Sequence, residues 1–282
     1  MLNNMAGSDF LESLDRQAEW GITCVDLKDA VFGHNIVDLT DEECLRATQA
    51  IAERGMRTYC LSSTLLGGTI DTGEVAFRDA NGTRVARLAE IAKAFQPTMV
   101  RLLAAQTARR AELDNAVRYV EQAQPWLIDF YNWAIEALRA AGFQVTIENE
   151  IGGSLFAKPE EVHALFKHFP RRNVCFTWDI QNMWQMGTFP SMAVYRELQP
   201  LIGYVHLKGG RTDGGDRLVW KAPLDEASWP VKEIVTAVIA DGVSPVICLN
   251  SSHGKMPDGY DCEEEVRRDV TFMRELLVEA EQ

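Results

Sequence analysis

Three ionisable residues close apolar runs in succession: Glu148 ends VTIE, Asp179 ends CFTWD, and His206 falls within YVHLK. A short run that is apolar throughout reads as a buried strand, so each of these side chains stands near a strand's C-terminal end. Two carboxylates and one imidazole suit a borderline or hard divalent ion such as Mn, Mg, Co or Zn. Such an ion polarises a carbonyl or hydroxyl and stabilises the enediolate that develops when the neighbouring carbon loses its proton. The plainer use of any one strand-end carboxylate is to cap a turn or pair with Lys or Arg. Three in consecutive strand ends favour a site.

The remaining apolar runs also end in polar residues: Asp26 and Lys28, Ser62 and Ser63, Arg101, Asn149 and Glu150, Lys208, and Asn250. Together they make a ring of the size that surrounds one small polar molecule. Lys208 shares a face with His206 on an extended run. It is read as a contact or proton donor for the substrate, or as one half of a structural ion pair. Glu150 shares a face with Glu148 in the same way, although it lies beyond the strand. His253 in NSSHG and His34 in VFGHN are loop histidines within range of the ring, whereas His163 and His168 read as surface residues.

The elements that must position this ring repeat one unit: an amphipathic helix, a short turn, then an apolar run. Ser8 is a candidate cap for a first helix with Phe10, Leu11, Leu14 and Ala18 on one face, ended by Gly21 and followed by ITCVDL. Thr40 and Glu43 have capping-box spacing, in which hydroxyl and carboxylate satisfy free helix N–H groups. Further helices carry Val85, Leu88 and Phe95; Phe130, Trp133 and Leu138; Val162 and Leu165; Val194 and Leu198; Ile234 and Val238; and finally Val266, Val270, Met273 and Leu277. Strands apolar on both faces, each preceded by a helix, imply a parallel sheet covered by helices. Counting the opening segment as a weak strand gives eight, so the expected fold is a TIM (β/α)8 barrel forming a single domain over residues 1–282. No glycine-rich GxGxxG turn follows an early strand, which argues against dinucleotide binding.

Composition narrows the partners. The chain has 282 residues and a formal charge of −13, which opposes nucleic-acid binding. The six cysteines show no CxxC pair and four lie in apolar runs. They read as reduced core thiols. No run is long and apolar enough for a membrane span, and no signal peptide is evident, so a cytoplasmic protein is expected. The loop QNMWQMGTFP expected after Asp179 reads as an apolar wall or lid with Trp184 over the site, or as packing against the barrel or a second subunit, leaving a homo-oligomer open.

The motifs GITCVDLKD, VTIENE, CFTWDIQNMWQMG, YVHLKGG and APLDEASWPVKEIVTAVIADGVSPVICLN, in this order, resemble the xylose isomerase-like TIM barrels. That superfamily includes sugar isomerases, keto-sugar epimerases, inosose dehydratase and endonuclease IV. The resemblance covers nearly the whole chain. It implies a metal set of Glu148, Asp179 and His206, with Glu148 as ligand or base and Lys208 as a catalytic or substrate contact. Arg211, Trp184, His253 and Asn250 are the expected substrate-binding residues. The family usually closes its metal set with a glutamate where this chain has Asn250, and often has histidine where Asn182 stands. An asparagine can coordinate through its oxygen but cannot accept a proton, so the two-glutamate epimerase device is incomplete. The implied function is metal-dependent isomerisation or epimerisation of a small sugar-like substrate through an enediolate. The alternatives are a cyclitol or sugar-acid dehydratase, or a degenerate barrel that binds sugar without chemistry. A histidine-rich metal cluster for phosphodiester hydrolysis is disfavoured by only five histidines and the acidic charge.

Overall fold

The structure is a computed structural model and describes residues 1–280. Seven parallel strands run in sequence order around the molecule. They are β1 (Cys24–Leu27), β2 (Arg57–Ser62), β3 (Met99–Leu103), β4 (Gln144–Glu148), β5 (Val174–Asp179), β6 (Ile202–Leu207) and β7 (Ile247–Leu249). Every one of them falls on an apolar run of the sequence.

The opening segment takes the eighth position, but as a single bridge and not as a strand. Leu2 N donates to Leu249 O at 3.2 Å, while Asp26 N donates to Met1 O and Asn3 N to Asp26 O, both at 2.9 Å. Leu2 thus stands between β7 and β1 and closes the barrel. So few residues reach this slot that the ladder cannot extend, which is why an eighth strand does not form.

Among the described residues ten α-helices accompany the strands. The first five are α1 (Phe10–Glu19), α2 (Asp41–Glu53), α3 (Glu74–Phe95), α4 (Ala116–Ala123) and α5 (Trp126–Ala140). Then come α6 (Pro159–Phe166), α7 (Ile180–Gln185), α8 (Met192–Leu198), α9 (Val231–Asp241) and α10 (Cys262–Ala280). The Thr40–Glu43 capping box forms as expected at the start of α2. The cap of α1 is Asp9 and not Ser8: its carboxylate accepts from Leu11 N and Glu12 N. Gly21, Gly55, Gly142 and Gly242 follow helices with positive φ, the conformation glycine adopts without a Cβ penalty.

Two expected core positions lie outside. Trp133 is 45% exposed and stacks on Phe130, and Leu277 is also 45% exposed. Each sits at the margin of its helix's apolar stripe, where the neighbours Phe130, Ala134, Val270 and Met273 take the inward face. Trp178, in contrast, points away from the barrel axis, is fully buried, and stacks on Tyr195 of α8. All six cysteines are free, and Cys44, Cys60 and Cys248 are buried. Among the described residues no helix is long and apolar enough to cross a membrane.

Candidate active site at the barrel mouth

The strand register assembles the site. Asp179 at the end of β5 lies opposite His206 of β6, and Glu148 at the end of β4 lies opposite Thr177 of β5. Asn149 locks the two strand ends together, because its side chain donates to Asp179 O and accepts from Asp179 N, both at 2.9 Å. The segment after Asp179 begins as the short helix α7, and only residues 186–190 remain a loop. Asp179 Oδ1 caps it by accepting from Asn182 N at 2.9 Å, which aims Oδ2 at the barrel interior. Gly209 fixes the next turn. A Cβ there would meet Ala222 O at 1.9 Å, so only glycine lets residues 222–223 pass directly against the chain that carries Lys208.

The result is a buried alternation of acids and bases. His206 sits between two carboxylates, with Nδ1 3.1 Å from Glu148 Oε1 and Nε2 3.2 Å from Asp26 Oδ2. Tyr204 OH donates to the same Asp26 oxygen at 3.1 Å. Glu148 Oε2 is paired with Arg101 of β3, whose guanidinium also donates to the carbonyls of Ser62 and Ser63. Lys208 Nζ lies 2.7 Å from Asp179 Oδ2 and donates to Asn182 Oδ1 at 2.9 Å. The Asp179 contact is an ion pair whose angles do not make it a hydrogen bond. All six charged groups are at most 2% exposed.

Burial alone would push Glu148 up, but Arg101 and His206 hold it far below the usual carboxylate range. Asp26 behaves likewise, with burial outweighed mainly by His206. Burial would lower His206, yet Glu148 and Asp26 hold it well above the usual imidazole range. For Asp179 burial prevails over Lys208, and its carboxyl is raised to about 6. Two neighbouring carboxylates are therefore driven in opposite directions.

One ligand atom each of Glu148, Asp179 and His206 lies within 4.8 Å of the others. These donors fit a divalent ion in type and in spacing. Asp179 Oδ2, buried without a hydrogen bond, supports the fit. Asp26, His206 and Cys248 form a second such trio that shares the imidazole.

The other expected residues divide. His253 reaches the site, with Nε2 2.9 Å from Lys208 Nζ. Burial, followed by Lys208, Lys221 and Lys28, lowers it to about 4, so it is a neutral acceptor. Asn250 is half-buried at the edge, and its side-chain oxygen accepts from Ser251 N at 2.8 Å and not from any member of the network. Arg211 stays on the rim, 3.5 Å from Glu226. Trp184 is buried in α7, donates to Asp216 O and packs edge-on against Phe189, so it ties α7 to the loop after β6. Glu150 accepts from Asn182 Nδ2 at 3.1 Å, and His34 lies at the surface beside Glu43. Arg101 and Asp26 were visible as strand-end residues, but their partners were not. Tyr204 was missed, although its place two residues before His206 puts it on the same strand face.

A crevice of about 730 Å³ opens beside the loops after β3 and β4, lined by residues such as Thr69, Gln106, Gly153 and Met186. A more apolar recess of about 430 Å³ lies at the opposite end, among Thr23, Val246 and Met273. No carboxylate or imidazole lines that recess, so it is remote from the chemistry.

No curated protein matches this sequence. Similar folds include a xylose isomerase-like TIM barrel protein from Mycobacterium smegmatis in complex with magnesium. It is 17% identical, with a TM-score of 0.71 over 96% of this chain and 88% of that one. The 3-keto-D-glucoside 4-epimerase YcjR from E. coli is 14% identical, with a TM-score of 0.72 over 98% of both chains. The probable 3-DHS dehydratase AsbF from Bacillus anthracis is 15% identical, with a TM-score of 0.69 over 94% and 93%. At these identities the likeness is one of fold. The family model for the xylose isomerase-like TIM barrel matches residues 14–276, and the chain belongs to that family.

Proposed function

We propose that the barrel mouth rearranges a small sugar or sugar-like carbonyl compound by moving a proton at the carbon beside the carbonyl. The observation that carries this reading is the convergence of Glu148, Asp179 and His206 within 4.8 Å at neighbouring strand ends. The same three side chains would hold a divalent ion of the Mn, Mg, Co or Zn class. When bound, that ion supplies electrophilic polarisation of the substrate's oxygens.

Glu148 is the acceptor, being held ionised. While both Arg101 and His206 hold it, its proton affinity is low. Substrate must therefore take over one of these contacts, which raises the carboxylate's basicity as the proton is transferred. Lys208 presents positive charge where an enediolate oxygen develops, and His206 gives up a proton when it ligates the ion. Glu148 then returns the proton it has taken, to the same or the adjacent carbon. The surrounding backbone and Asn149 keep these groups in place without solvent, which strengthens each interaction.

Asn250 shapes the outcome. A pair of opposed carboxylates inverts one centre by working from two faces, and here the second is replaced by a neutral amide turned toward Ser251. One carboxylate can still carry a proton between adjacent carbons, which is isomerisation. It can also remove a proton while Lys208 assists a leaving hydroxyl, which is dehydration. The fold likeness to an epimerase and a dehydratase agrees with this class of chemistry. A survey of ketoses, 2-keto acids and inososes, with and without each metal, tests the reading. An isomerised or dehydrated product, lost in Glu148→Gln, supports it. Ligand binding without product from any of them, and without metal dependence, would favour a sugar-binding barrel.

A further inference from the structure

The residue nearest to acting as a metal in this site is Lys208. Its side chain is buried, and its ammonium contacts Asp179 Oδ2 at 2.7 Å, Asn182 Oδ1 at 2.9 Å and His253 Nε2 at 2.9 Å. One carboxylate oxygen, one amide oxygen and one neutral imidazole nitrogen are the donor types a small cation collects. Asp179 is also the member of the metal trio with no other cation on it, since Glu148 already faces Arg101 and His206. Glu148 and Asp179 thus each face a cationic side chain, Arg101 and Lys208 respectively.

We propose that the Lys208 ammonium is a built-in occupant of the cation position, so that it and a divalent ion exclude each other at Asp179. This rests on the reading that Glu148, Asp179 and His206 hold the metal. Two cations cannot share one carboxylate oxygen in a buried site without strong repulsion. Metal entry therefore requires the ammonium to withdraw on its flexible stem. The same ammonium, once displaced, is free to meet the substrate.

Calorimetric titration with Mn²⁺ of the wild type, Lys208→Met and Lys208→Gln tests the exclusion, with thermal unfolding reporting that each chain is folded. Both variants should bind one Mn²⁺ on the order of tenfold or more tightly than the wild type, the usual size of coupling between linked ligands. Lys208→Gln keeps an amide donor for Asn182, so it serves if Lys208→Met unfolds. A measurement on the wild type alone is the nitrogen NMR shift of the Lys208 side chain, which should move on saturation with diamagnetic Zn²⁺. One Mn²⁺ bound with equal affinity by all three chains, or an unmoved Lys208 signal at saturation, would overturn the exclusion and leave the metal reading standing. No Mn²⁺ bound by any of the three would refute the metal reading and the exclusion with it.

Discussion

Replacing Arg101 with methionine removes one partner of a buried ion pair and leaves the other. The side chains of Arg101 and Glu148 are 3% and 2% exposed, so water cannot compensate the remaining charge. Breaking such a pair costs about 3–5 kcal/mol. The Ser62 and Ser63 carbonyls also lose their donors, at about 1 kcal/mol each. His206 still holds Glu148, which places Arg101→Met near 4 kcal/mol. Glu148→Gln should cost about 3 kcal/mol, because Arg101 is then the uncompensated charge. The double variant Arg101→Met, Glu148→Gln leaves neither, while Asp26–His206 and Asp179–Lys208 persist. Its cost should fall below the sum by about 2 kcal/mol or more. Urea unfolding at pH 7, followed by tryptophan fluorescence and circular dichroism with coincident transitions, measures all three. Additivity within about 0.5 kcal/mol, the behaviour of independent sites, would refute the network.

Asp269 in α10, 9% exposed, accepts from Leu224 N at 2.6 Å, and burial prevails over that contact to raise its carboxyl to about 7. The folded state then binds more protons than the unfolded state between about pH 4 and 7, so stability from this group is full below that window and is lost as pH rises through it. The loss approaches about 4 kcal/mol, roughly three pKa units, and Asp269→Asn should flatten that part of the stability profile; an unchanged profile would remove Asp269 as its cause. Gly209→Ala drives a methyl against Ala222 O, so urea unfolding should show a loss of about 1–3 kcal/mol. In that variant the amine of Lys208 should also react faster with an acylating reagent as the mouth opens, and wild-type stability and reactivity would contradict the close approach.

The barrel was legible because its information is local. Each apolar run except the opening segment became a strand, and the Thr40–Glu43 spacing alone specified a helix start. Glu148, Asp179 and His206 were legible as strand-end residues because a parallel barrel gathers those ends at one mouth. What escaped was pairing. Arg101 meets Glu148, and Lys208 meets Asp179, through the register between strands, which no single segment encodes. The stretch after Asp179 looked like a loop since six residues give too little periodicity, and the cap that makes it a helix is the site residue itself. Arg211 and Trp184 lay close to the ring in sequence, but the turn after β6 carries Arg211 to the rim and helix α7 turns Trp184 into the packed interior.

The most direct test of the proposed chemistry is proton exchange at the carbon beside the carbonyl. The protein is incubated in D2O with ketoses and inososes in the presence of each divalent ion, and deuterium incorporation is followed by NMR. Wild type should wash deuterium into at least one of them, even where no net product accumulates, and Glu148→Gln should not. Exchange that persists undiminished in Glu148→Gln, or its absence from every compound with wild type, would contradict the account.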